Sequence, residues 1–86
     1  MRLTKPTIHL NGTSAERLYN DLDEARRAAR DLLRALEDCA PNARDYYPQG
    51  ADAFSRARME HQVRIEAVRQ IQYELNELHE HVADSV

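Results

Sequence analysis

The sequence predicts an all-α protein, an antiparallel hairpin of two long amphipathic helices that follow a short extended N-terminal arm. Two apolar seams with heptad spacing support this prediction, one in each half of the chain. The segment between the seams contains Pro41, Pro48 and Gly50, which interrupt helices. The predicted boundaries are an arm at 1–12 and a hairpin at 13–86, with helices at 13–40 and 52–83 and a loop at 41–51.

The composition limits the class of protein. With 86 residues the chain is one small domain, which buries a smaller share of its surface than a larger domain does. Cys39 is the single cysteine, so neither a disulfide nor a cluster of zinc-binding cysteines can compensate. We therefore expect a homodimer that forms a four-helix bundle, or a larger closed oligomer. The net charge of −3 argues against generic nucleic-acid binding, which normally needs a basic excess.

Targeting and metal-binding signals are weak. No run of about 18 apolar residues predicts a membrane span, and the N-terminus lacks the apolar core of a signal peptide. A cytoplasmic location is the default expectation. His79 and His81 are two residues apart and should point to different faces of a helix. We therefore expect neither a metal site nor a cofactor.

The N-terminal arm has a short strand-like pattern. Residues 7–10 alternate polar and apolar side chains, Pro6 favours extended backbone before it, and Asn11 with Gly12 predicts a turn. Two interpretations are open. The arm is either a strap that inserts Ile8 and Leu10 into the core, which we favour, or one half of an intersubunit ribbon.

The first helix should begin with a capping box formed by Thr13 and Glu16. It should end near Ala40, because Pro41 disfavours a helical residue before it. Its seam has the spacing 4, 3, 4, 3, 4, 3 and consists of Leu18, Leu22, Ala25, Ala29, Leu32, Leu36 and Cys39.

The second helix should begin after Asp52, and the second half of its seam is cleanly apolar. In the first half, His61 and Arg64 take positions where apolar residues are expected. A drift of the register by one position, with Val63 or Ile65 packing instead, is the ordinary explanation. Antiparallel folding about the loop should place His61 beside Leu32.

The loop and the first turns of the second helix contain the predicted ligand-binding residues. Tyrosine rings can stack on a planar base, and arginine side chains can bind phosphate or carboxylate at two points. Asn11 and Thr13 can join them only if another subunit brings its arm close. The predicted set is Arg44, Tyr46, Tyr47, Gln49, Arg56, Arg58, His61, Arg64, Asn11 and Thr13. The structural alternative is that the tyrosines cover the end of the core and the arginines pair with nearby acids.

Two stretches, residues 7–14 (TIHLNGTS) and 43–50 (ARDYYPQG), resemble small proteins encoded by bacteriophages. The resemblance implies a similar length and helical content, and no particular activity. In form the chain is also similar to phage anti-defence proteins, which are small helical oligomers that sequester nucleotide immune signals between subunits. This second likeness implies a function but does not identify the residues that would perform it.

These observations predict a non-enzymatic oligomeric binding protein that sequesters a small anionic, nucleotide-like immune signal. Cys39 lies on an apolar seam and is expected in the core, and no phosphate-binding loop or nucleophile elbow is present. An enzyme is therefore not expected. The alternatives are a module that inhibits or recruits a host protein, and a minor virion or assembly component.

Overall fold

The computed structural model describes residues 2–86 and consists of two long helices, α1 (Ala15–Asp38) and α2 (Ala53–Ala83). Two single-turn 3-10 helices, Ala43–Asp45 and Tyr47–Gln49, connect them. Within the described part of the chain there is no strand, and neither long helix is apolar enough to cross a membrane. The all-helical hairpin that the seams predict is confirmed.

The N-terminus of α1 is capped by Ser14. Its extended backbone (ψ 151°) places Oγ where it accepts the Arg17 N–H at 3.1 Å. The predicted capping box of Thr13 and Glu16 is therefore wrong by one residue. Thr13 and Ser14 both carry a hydroxyl group, and the one that lies directly before the first helical residue makes the bond.

The connection between the helices is ordered by local hydrogen bonds. The Asn42 side chain accepts the Arg44 N–H at 3.0 Å, and the Tyr47 carbonyl accepts the Gly50 N–H at 3.2 Å. Gly50 has a φ of 115°, which is unfavourable for residues with a Cβ atom. The connection thus folds as two successive tight turns, where the sequence predicted one loop.

The core lies between α1 and α2 and is small. On α2 the buried residues are Ala53, Ala57, His61, Ile65, Val68, His79 and Val82, and on α1 only Ala29 is buried. Leu32 is 48% exposed whereas Leu33 is partly buried, and Cys39 is exposed. The predicted core position of Cys39 is therefore wrong. On a straight helix, residues at heptad spacing rotate about the helix axis by about 20° per heptad. A strict heptad seam therefore turns away from the neighbouring helix unless the two helices supercoil.

The pairing of the two helices also differs from the prediction. His61 lies beside Leu36, one helical turn further along α1 than the expected Leu32, since His61 Nε2 is 2.7 Å from the Leu36 carbonyl oxygen.

The first two turns of α2 extend past the end of α1. Here Tyr46 packs near Phe54, with ring centroids 6.5 Å apart, so the connection folds beside α2 and not beyond the helix ends.

The segment before α1 lies along the C-terminal half of α2. His81 Nε2 is 2.7 Å from the Pro6 carbonyl oxygen, and Lys5 Nζ is 3.7 Å from a Glu77 carboxylate oxygen. Ile8 is partly buried, but Leu10 is 98% exposed, so the expected insertion of Leu10 into the core is wrong. Leu10 falls in the turn that the hydrogen bond from Gly12 N–H to the His9 carbonyl closes, and its side chain points to solvent.

The assignment of the cap can be tested by comparing two variants. We expect Ser14→Ala to lower the free energy of unfolding by about 1 kcal/mol, because it removes the acceptor of an otherwise unpaired helical N–H group. Thr13→Ala removes a hydroxyl group next to it and should change stability by less than about 0.5 kcal/mol. Urea unfolding followed by circular dichroism measures both, and a larger loss in Thr13→Ala would contradict the assignment.

Candidate functional site

The residues predicted to bind a ligand at the loop end are partly used by the protein itself. Tyr46 is partly buried against Phe54, and the Arg58 guanidinium carbon lies 5.7 Å from the centre of the same ring. Phe54 therefore lies between a tyrosine and an arginine at the end of the hairpin. In contrast, the Tyr47 side chain is 75% exposed.

His61 faces α1 and not the solvent. It is 7% exposed, and its Nε2–H donates to the Leu36 carbonyl oxygen. That carbonyl belongs to the last turn of α1. In a continuing helix it would accept the Ala40 N–H, but this N–H bonds to the Glu37 carbonyl instead. His61 thus caps the C-terminus of α1, and this bond occupies one nitrogen of a side chain that the sequence predicts to bind a ligand.

The ten predicted residues do not form one site. Arg44, Gln49, Arg56 and Arg64 are exposed around the loop end, together with Tyr47. The other two residues, Asn11 and Thr13, are also exposed but precede α1. They lie at the opposite end of the hairpin, because the helices are antiparallel.

A polar cluster that the sequence did not predict joins the two helices closer to that opposite end. Its centre is Arg26 on α1, which donates to Asn76 Oδ1 at 2.8 Å and to Asp23 Oδ1 at 3.2 Å. The same guanidinium lies 3.1 Å from His79 Nδ1. One arginine thus links α1 to two side chains of α2.

His79 is the buried member of this cluster. Only 9% of it is exposed, and its ring stacks on the Tyr19 ring with centroids 4.2 Å apart. Arg26 is a donor only, so the ring nitrogen that pairs with it must accept, and Nδ1 at 3.1 Å is closer to the guanidinium than Nε2 at 3.5 Å. Nε2 also lies 3.8 Å from Asp23 Oδ1. Among the described residues no buried side-chain polar atom lacks a hydrogen-bond partner.

Beside the cluster, an open cleft of about 660 Å³ runs between the helices. We call it the arginine cleft, and its lining residues are Asp23, Arg26, Arg27, Arg30, Gln72 and Asn76. Arg27 pairs with Asp23 Oδ2 at 2.9 Å, whereas Arg30 makes no ion pair within residues 2–86. The lining contains three guanidinium groups and one carboxylate, so it has an excess of two positive charges, which suits an anion.

A weak signal of this cleft is present in the sequence. Arg26 falls on a second helical stripe with Leu22, Ala29 and Leu33, at spacings of 4, 3 and 4. An arginine in an apolar stripe indicates a polar contact with the neighbouring helix. The partners Asn76 and His79 cannot be identified without the pairing of the helices.

Across the described chain, no three histidine, cysteine, aspartate or glutamate side chains are grouped so that they could hold a metal ion. A comparison of the sequence and the fold with family models, curated proteins and solved structures found no match. The functional inference therefore depends on the residues of the chain itself.

The capping role of His61 predicts a loss of stability in His61→Leu. Leucine packs in the same space but removes the imidazole donor of the Leu36 carbonyl oxygen and leaves it only the weakly donating Cys39 thiol at 3.5 Å, which should cost about 1–3 kcal/mol. Arg64→Gln, an exposed change one turn later on α2, is the control and should stay within about 0.5 kcal/mol of the parent protein. Thermal and urea unfolding measure both, and a His61→Leu protein as stable as the control would contradict the cap.

Proposed function

We propose that the protein is a non-enzymatic, self-associating binding protein for a small anionic ligand, and that the arginine cleft is its binding site. The observation that supports this is the local charge. Arg30 has no ion pair in the part of the chain that the structure describes, and it borders the cleft with two further arginines and a single aspartate. A bound anion would neutralise the excess.

The lining residues favour a phosphate-bearing ligand with a polar organic part. Arginine binds phosphate oxygens through two parallel N–H donors. Gln72 and Asn76 offer amide groups that can donate and accept, which suits the edge of a base or a sugar hydroxyl. The volume of about 660 Å³ lies within the range of small-molecule sites.

Nucleotide immune signals belong to this chemical class. Cyclic dinucleotides, cyclic trinucleotides and ADP-ribose derivatives combine phosphate charge with bases or sugars. In biological terms, a phage-encoded protein would sequester such a signal in the cytoplasm of a bacterial host. The support for this proposal is the charge of the cleft together with the resemblance in residues 7–14 and 43–50.

A second function, binding to another protein, is favoured by a different observation. Met59 and Val63 on α2 are 70% and 69% exposed. Apolar side chains exposed one turn apart on a helix are typical of an interaction surface. A host protein recovered in stoichiometric amount by the unaltered protein and lost with Val63→Glu would show that this surface binds a host protein in place of a second copy of the chain.

The proposed ligand site predicts that Arg30→Gln weakens binding without unfolding the protein. Loss of a charge-assisted hydrogen bond costs about 1.5–3 kcal/mol, so affinity for the bound nucleotide should fall roughly 10- to 100-fold. Isothermal titration with ligands selected by thermal shift measures the change. Arg34→Gln, which removes the same charge one turn further along α1, is the matched control.

Two results would contradict the proposal. If no cyclic dinucleotide, cyclic trinucleotide or ADP-ribose derivative raises the melting temperature at millimolar concentration, the ligand class is wrong. If Arg44→Gln or Tyr47→Ala abolishes binding while Arg30→Gln does not, the ligand is held at the loop end and the cleft is not the site.

A further inference from the structure

The hairpin exposes far more surface than a compact protein of its mass. Its accessible area is 6865 Å², against about 5,200 Å² expected for a folded monomer of 10.0 kDa. Its radius of gyration is 18.4 Å, against about 12 Å for a compact chain of this length. The extents of 61 × 24 × 17 Å show why, since two helices side by side bury only one face each.

The face of α2 that points away from α1 has a heptad pattern of its own. At 100° per residue, Met59 and Val63 lie opposite the side that contains the buried His61, Ile65 and Val68. Continuing the heptad in both directions defines the outer stripe, which consists of Asp52, Arg56, Met59, Val63, Glu66 and Gln70. All six residues are exposed.

The N-terminal segment borders the C-terminal continuation of this stripe. The next positions are Tyr73, which is 58% exposed, and Glu77, which is partly buried. Leu3 and Lys5 border the same small cleft as these two residues, and Lys5 pairs with Glu77. The part of the face away from this segment therefore ends near Gln70.

We propose that a second copy of this chain occupies the outer stripe, with the two α2 helices antiparallel about a two-fold axis that passes between Met59 and Val63. In this register each Met59 packs against Val63 of the second copy. Arg56 then lies opposite Glu66 of the second copy, and the symmetry repeats that ion pair. Gln70 lies opposite Asp52 of the second copy.

Charge selects this arrangement over the parallel one. A parallel pair would place Arg56 against Arg56 and Glu66 against Glu66, which repel each other. The antiparallel pair places each Arg56 opposite a Glu66, which within its own chain pairs with Arg69 at 3.3 Å, and places Asp52 opposite the neutral Gln70. The excess of about 1,600 Å² over a compact monomer is spread over the whole hairpin, and the outer stripe is one part of it.

This interface and the arginine cleft are independent. The cleft residues of α2, Gln72 and Asn76, project from the side of the helix and do not belong to the outer stripe. Dimerisation can therefore fail without loss of ligand binding, and ligand binding can fail without loss of the dimer.

The test uses two charge reversals in the full chain, measured by sedimentation velocity over a range of concentrations. The unaltered protein should be a dimer. Arg56→Glu alone and Glu66→Arg alone each place like charges in contact and should weaken the dimer tenfold or more, on the order expected for such contacts. An equimolar mixture of the two variants should recover a heterodimer of the original affinity, because every contact is again between opposite charges.

Arg64→Glu is the matched control, since it is an exposed reversal on α2 outside the stripe, and it should leave the dimer unchanged. Circular dichroism of each variant confirms that the helices are intact. A parent protein that stays monomeric at high concentration would overturn the proposal. So would a dimer that neither single reversal weakens, or single variants whose mixture does not recover association.

Discussion

Two buried histidines determine how α1 and α2 lie against each other. His61 donates to a carbonyl of the last turn of α1, and His79 accepts from Arg26 on the same helix. The apolar contact between the helices is made by alanines, by Ile65 and Val68 of α2 and by half-buried leucines, and apolar contact has no direction. Sliding the helices by one turn would preserve much of that contact but would leave both histidines without their partners. A buried polar group without a partner destabilises the fold by its full desolvation free energy. The hydrogen bonds thus specify a register that the apolar contact alone leaves undetermined.

The arginine cleft is a consequence of this register. Arg26 reaches across to Asn76 because the helices are held where they are, and the pairing of Asp23 with Arg26 and Arg27 then fixes two guanidinium groups beside the third. The chain as a whole is acidic, with a net charge of −3. A local positive cleft on an acidic protein focuses attraction on small anions and gives little attraction for a long nucleic acid.

How much of this could be predicted from the sequence depends on the range of each interaction. The two helices and the break at Pro41 follow from local patterns, and those patterns are strong. The cap was misplaced because Thr13 and Ser14 have the same chemistry and adjacent positions. The pairing was misplaced by one turn because a heptad repeat says which face is apolar but not how two faces align. Since Arg26 finds its partners 50 and 53 residues away, the cleft could not be predicted before the pairing was known. Within one chain, His61 and Tyr46 of the predicted loop site make contacts between elements, which a local pattern does not reveal.

The contacts of the N-terminal segment are of a different kind from those within the hairpin. A partly exposed ion pair, Lys5 with Glu77, and a hydrogen bond between His81 and the Pro6 carbonyl account for its described polar contacts with α2. Exposed ion pairs contribute little, so this segment lies at the low end of the range of local stabilities. Tyr73 is 58% exposed beside this segment, so the segment screens only part of that side chain. The apolar length of this face of α2 is therefore set mainly by the residues of the helix and little by the segment that lies along it.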